Sequence, residues 1–223
     1  MKKVVKDYEW STHGPLLKTI IEVLNPKLIV ELGTGLYSSP IFLASSAEKL
    51  FFIDNDQEWL NHVKNNNNFD SRCSLIFHDL GNSIKLGTFL KELPQEEKNK
   101  IINYYTDLSA TIENESSTPK MLFVDHFTCA RTLSINTLFD KFDIIGFHDC
   151  QPNGIEWYEY YFDEKLHKNY NLFFLTSPTS WTGCFIKKSF DVEILLKEKI
   201  IPHIEEYCID NNINSSTMNF ING

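Results

Sequence analysis

The 223-residue chain contains no apolar run near the ~20 residues that a membrane span requires, so a transmembrane helix is not expected. It also lacks the apolar core of a secretory signal: Met1-Lys2-Lys3 is followed by Tyr8, Glu9 and Trp10, and a cytoplasmic protein is expected. Metal-knuckle spacing is missing too. Cys73, Cys129, Cys150, Cys184 and Cys208 are odd in number and form no Cys-x-x-Cys pair, which argues against a disulfide framework or a structural zinc site. Asn114-Glu115-Ser116 and Asn214-Ser215-Ser216 match the glycosylation sequon, but without a signal they read as chance matches in an Asn-rich chain. There is no basic run. A formal net charge of -9 makes nucleic acid an unlikely main partner, because that affinity rests on Lys and Arg neutralising phosphates.

What is present is an alternation of short apolar runs with helical patterns. Residues 28–32, 50–53, 74–77, 120–124 and 143–147 read as strands, and 50–53 is a short continuous apolar run, the form of a strand buried on both faces. Residues 15–25, 39–49, 57–65, 83–93, 95–107 and 134–142 carry helical spacing. Repeated β-α units call for a parallel sheet wrapped by helices on both faces. Residues 171–176 and 182–187 flank a short Ser/Pro/Thr loop and read as a hairpin, followed by a helix over 192–208 interrupted at Pro202. The interval between the third and fourth strands exceeds what a crossover between neighbours needs, so an insertion around 92–119 is expected, a lid or oligomer contact or a solvated excursion. The reading is one domain over 1–208 with a polar tail over 209–223. No internal repeat is visible.

The first strand runs into Glu31-Leu32-Gly33-Thr34-Gly35, a turn where missing side chains let a ligand approach the backbone. Glu31 would repel a pyrophosphate by about 1 kcal/mol in water and more when desolvated. The dinucleotide fingerprint also wants Gly or Ala where this chain has Ser38. Ligands of such sheets bind beyond the strands' carboxyl ends. There the chain places Asp54, about twenty residues past the glycines and suited to ribose hydroxyls, then His78-Asp79, Asp125-His126 and His148-Asp149. Carboxylates at four successive strand ends are costly without a cationic ligand or metal.

These motifs resemble those of class I S-adenosylmethionine-dependent methyltransferases, in the branch written Glu-x-Gly-Thr-Gly, Asp-Gly-x-His with a downstream Arg, then His-Asp. The matching residues are Glu31-Leu32-Gly33-Thr34-Gly35, Asp54-Asn55-Asp56, Asp125-His126 with Arg131, and His148-Asp149, over roughly residues 12–190. His126 departs from the pattern, which usually has Gly there. The resemblance implies a Rossmann-like αβα sandwich with a mostly parallel seven-stranded sheet and an antiparallel C-terminal hairpin. It implies that Glu31, Gly33, Thr34, Gly35 and Ser38 line the methionine part of S-adenosylmethionine, that Asp54 holds the ribose, and that Asp79 and Leu80 flank the adenine.

The expected reaction is O-methylation of a small molecule or sugar. Asp125 and Asp149 should face each other and can hold Mg²⁺ or Mn²⁺, the use the resemblance suggests. Alternatively His148 or His126 is a general base, or Asp125 contacts the cofactor and Asp149 caps a loop. Arg131 is expected to pair with Asp125 or to meet an acidic substrate. Aromatics at 157–162 can wall an acceptor pocket or pack in the core. Rival readings are a non-enzymatic binding or assembly subunit and an NAD-dependent oxidoreductase; a homo-oligomer is compatible with all of them.

Overall fold

A computed structural model describes residues 11–79, 88–151, 160–212 and 214–223. The apolar runs become β1 (Leu28–Leu32), β2 (Lys49–Asp54), β3 (Cys73–Phe77), β4 (Lys120–Val124) and β5 (Ile144–His148), all parallel. The hairpin strands β6 (Tyr170–Thr176) and β7 (Thr182–Lys187) and a final β8 (Asn219–Asn222) are antiparallel, and the sheet order is β3-β2-β1-β4-β5-β7-β6-β8. β1, β4 and β5 are buried along their whole length, because alternate side chains enter two separate cores. Leu28, Val30, Leu32, Leu122, Val124, Ile145 and Phe147 pack on one face, with helices α4 (Gln95–Glu113) and α5 (Thr128–Leu138). Ile29, Phe52, Met121, Phe123 and Ile144 pack on the other, with α1 (Gly14–Leu24) and α7 (Glu193–Asn211).

Local signals explain the element ends. Pro15 sits in the first turn of α1, and Asn25, in the left-handed region at φ 45°, closes it by donating its backbone N–H to Ile21 O. Asp56 caps α3 (Gln57–Asn66) by accepting from Trp59 N. α2 is short, Ser38–Leu43, and α6 spans Glu164–Asn169.

Three expectations are corrected. The interval at 92–119 is no lid: α4 buries Ile101, Tyr105, Leu108 and Ile112 in the core. The connection is long because β2 and β1 stand between β3 and β4, so the crossover spans two intervening strands. The sheet has eight strands rather than seven, since the polar tail includes β8, which pairs with β6 and stacks Phe220 on Phe173 with centroids 5.5 Å apart. α7 continues through Pro202, held by its buried face of Leu196, Ile200, Ile204 and Cys208. The helix expected over 83–93 falls mostly outside the described residues; its described end is a single 3₁₀ turn, Leu90–Glu92. No described helix is long and apolar enough to cross a membrane.

Candidate active site

A cavity of ≈ 870 Å³ opens at the carboxyl ends of β1, β2, β4 and β5, a size suited to a nucleoside cofactor with a small acceptor. Its floor is the turn after β1. Gly33 adopts φ +87°, and a Cβ there would overlap the backbone carbonyl of Asp125, so only glycine lets the turn pass under the β4 loop. Gly33 N donates to Ile53 O at 2.8 Å and Asp125 N to Leu32 O at 2.7 Å, extending the sheet register into both loops. Asp54 is clamped beneath: Oδ2 accepts from Thr34 N at 2.8 Å and Thr34 Oγ1 at 2.9 Å, and Oδ1 from Asp56 N at 2.9 Å. Burial raises its pKa against the pull of these donors. Trp59, 39% exposed, lines the cavity with its indole N–H fixed on Thr34 O at 2.7 Å.

Glu31 does not line this cavity. It is fully buried and accepts from Ser38 Oγ and, at 2.6 Å, from Ser39 Oγ. Burial pushes its carboxyl up to about 8, with the two hydroxyls opposing. Glu31 therefore shapes the turn from below and does not act as a charged filter over it. Asp79 is exposed and does not line the cavity, and Leu80 lies outside the described residues. Gly33, Thr34, Gly35, Ser38, Asp54 and Asp125 all line the cavity.

At the opposite wall, Arg131 from α5 ties two loops together. Its Nη2 donates to Asp125 Oδ1 at 2.9 Å, Nη1 to Asp149 Oδ2 at 3.1 Å and His148 O at 3.0 Å, and Nε to His126 O at 2.6 Å. Burial disfavours the guanidinium charge, but Tyr160 and the two carboxylates raise its pKa beyond the ordinary value. Burial also works against ionised Asp149, yet His148, Arg131 and the Ser180 hydroxyl hold it at about 2. Asp149 has φ 58°, a left-handed conformation that Asp tolerates, and this turns its carboxylate back toward Arg131 and Ser180. The Asp125–Asp149 pair therefore does not fit a bridging Mg²⁺ or Mn²⁺, because a guanidinium already spans the two carboxylates.

His148, 3% exposed, turns Nδ1 to Asp125 Oδ2 at 3.3 Å and Asp149 Oδ1 at 3.6 Å, and Nε2 to Thr12 Oγ1 at 3.1 Å and Ser180 Oγ at 3.2 Å. Burial would lower its pKa, but the flanking carboxylates raise it. His126 contacts Tyr105 OH through Nε2 at 2.6 Å, and burial and Arg131 push its pKa well down, so it is a poor proton acceptor at neutral pH. Of the aromatics at 157–162, residues 157–159 lie outside the described residues. Tyr160 is buried and donates to His148 O at 2.7 Å, Phe162 packs on Phe147, and Tyr161 is exposed. The sequence reading missed Thr12, His13, Trp59 and Ser180.

No protein-family model matches the chain, and no curated protein matches it. Among solved structures, a protein from Legionella pneumophila superposes with TM-score 0.55 at 9% identity, covering 99% of this chain and 97% of that one. A spermidine synthase in complex with the transition-state analogue AdoDATO gives 0.52 at 12% identity, covering 90% of this chain and 65% of that one. The plantazolicin methyltransferase BamL, in complex with a triazolic desmethylPZN analogue and SAH, gives 0.50 at 11% identity over 99% and 86%. The chain thus spans 65% of the length of the synthase. At these identities the likeness concerns architecture alone: the chain has the Rossmann-like αβα fold found in methyltransferases such as BamL.

Proposed function

We propose that the chain is an S-adenosylmethionine-dependent methyltransferase that transfers the methyl group to an oxygen of a small molecule or sugar. The observation carrying this reading is the cavity itself: a Gly33 cradle that a Cβ would fill, walled by Asp54, Asp56, Asp125 and Asp149 against Arg131, the single Lys or Arg among its described lining residues. That surplus of negative charge suits a ligand bearing an ammonium and a sulfonium and opposes a pyrophosphate. The residues fit the cofactor, which when bound supplies a methyl group already activated on sulfur. The turn at Gly33–Gly35 would hold its methionine part, Asp54 would use its remaining lone pairs on ribose hydroxyls, and Trp59 would offer an aromatic wall. His148, with its pKa raised by Asp125 and Asp149, would take up the acceptor proton, and the rigid Arg131 frame would align the acceptor.

An NAD-dependent oxidoreductase is the weaker reading, because Ser38 stands where a dinucleotide turn needs Gly or Ala and is engaged by Glu31. The test is calorimetric titration with S-adenosylhomocysteine and with NAD, followed by S-adenosylmethionine and a panel of hydroxylated acceptors, with mass-spectrometric detection of methylated product. Tight homocysteine-nucleoside binding without NAD binding is expected, with product formation lost in His148→Ala and Asp149→Ala. Binding of NAD alone would overturn the donor assignment. Transfer unchanged in both variants would overturn the acceptor site, and binding without transfer to any acceptor would favour a binding subunit.

A further inference from the structure

One side chain in the cavity has no role in the chemistry above. His13, in the turn before α1, is 2% exposed, and neither of its ring nitrogens has a hydrogen-bond partner among the described residues. A buried polar group left unsatisfied costs about 1–3 kcal/mol, so an imidazole without partners calls for a ligand. Its ring stands edge-on to His148 with centroids 4.9 Å apart. One ligand atom each from His13, His148 and Asp125 lie within 4.8 Å of one another, at the cavity wall.

The surroundings of this trio are those of metal ligands. Asp125 divides its carboxylate, with Oδ1 on Arg131 and Oδ2 turned to His148 Nδ1. If Nδ1 ligates, the Nε2 proton of His148 is taken by the Thr12 or Ser180 hydroxyl, and Ser180 in turn donates to Asp149 Oδ1 at 2.6 Å. Partners of this kind fix the tautomer and orientation of a ligating histidine. Asp125 and Asp149 against Arg131 leave one formal negative charge to attract a cation.

We propose that His13, His148 and Asp125 bind a divalent transition-metal ion, with its remaining coordination positions facing the cavity. The ion sits on the histidine side of Asp125, away from the guanidinium that blocks the Asp125–Asp149 pair. Two imidazoles and one carboxylate favour Mn²⁺, Fe²⁺, Co²⁺, Ni²⁺ or Zn²⁺ over Mg²⁺, which prefers oxygen ligands. The site stands independently of the methyl-donor reading. Only the further step rests on it, that an acceptor oxygen completes the coordination; in that state the ion, by lowering the acceptor's pKa, takes over the role given above to His148, which is then a ligand.

The experiment uses untagged, chelator-treated full-length chain titrated with Co²⁺, followed by its visible d–d bands, and with Zn²⁺ and Mg²⁺ by calorimetry. One Co²⁺ per chain is expected, displaced by Zn²⁺ and not by Mg²⁺. His13→Gln and Asp125→Asn should each weaken Co²⁺ binding by about tenfold or more. Cu²⁺ loaded into the wild type should show nitrogen superhyperfine splitting from two imidazoles. Circular dichroism and urea melts of the same proteins serve as the folding control, and S-adenosylhomocysteine titration of the wild type tests the donor reading separately. Absence of stoichiometric Co²⁺ uptake by the wild type, or bands unchanged in a folded His13→Gln, would overturn the site. Metal uptake without nucleoside binding would uphold it while overturning the donor assignment.

Discussion

A single missing Cβ joins the two halves of the site. Gly33→Ala would force a side chain into the Asp125 carbonyl at a positive φ, so it should lower stability by about 1–3 kcal/mol and abolish S-adenosylhomocysteine binding. Urea denaturation with calorimetry checks this, and unchanged affinity would show that the cradle is not used. Glu31 gives a pH signature. Its folded pKa of about 8 lies above the unfolded 4.5, so the native state holds the extra proton, and the stability this confers is lost as pH rises toward and past about 8. Glu31→Gln should therefore gain on the wild type between about pH 5 and pH 9, by on the order of a few kcal/mol, in melts across that range. A gap that does not change with pH would mean an ionised Glu31. The strand-end carboxylates were legible in the sequence because the position after a buried run is readable from the run itself. The inward turn of Glu31 was not, since nothing in Glu31 to Ser39 shows that the chain folds the two serines beneath the turn. His13 and Ser180 were equally hidden, as they reach the site from segments 112 and 55 residues from Asp125.

At the scale of elements, α4 links core to site. Ile112→Ala should cost about 2–5 kcal/mol, because it opens a cavity in a fully buried position. Tyr105→Phe should cost only about 0.5–1.5 kcal/mol while freeing His126 Nε2, and urea denaturation of the two variants separates packing from hydrogen bonding. Comparable losses from both would mean that the Tyr105 hydroxyl matters more than its contact suggests. Strands and their order of appearance were readable from apolar runs, but their order in the sheet was not. The 3-2-1-4 arrangement turns an apparent excess of chain into a necessary crossover. β8 was illegible for another reason: four residues with two asparagines carry little strand signal, and the β6 edge recruits them by backbone pairing.

For the molecule as a whole, acidity and cavity point the same way. With a net charge of -9 and Arg131 locked between carboxylates, the chain should not retain RNA or DNA oligomers at physiological salt in filter-binding assays. Saturable binding there would reveal a basic surface that the composition conceals. Arg131 also constrains how such a site can change. Replacing it alone strands two carboxylates, and replacing either carboxylate unbalances a buried cation, losses of about 3–5 kcal/mol for a broken buried pair. The three positions therefore form one heritable unit: divergence that keeps this pocket must exchange Asp125, Arg131 and Asp149 together or leave all three alone.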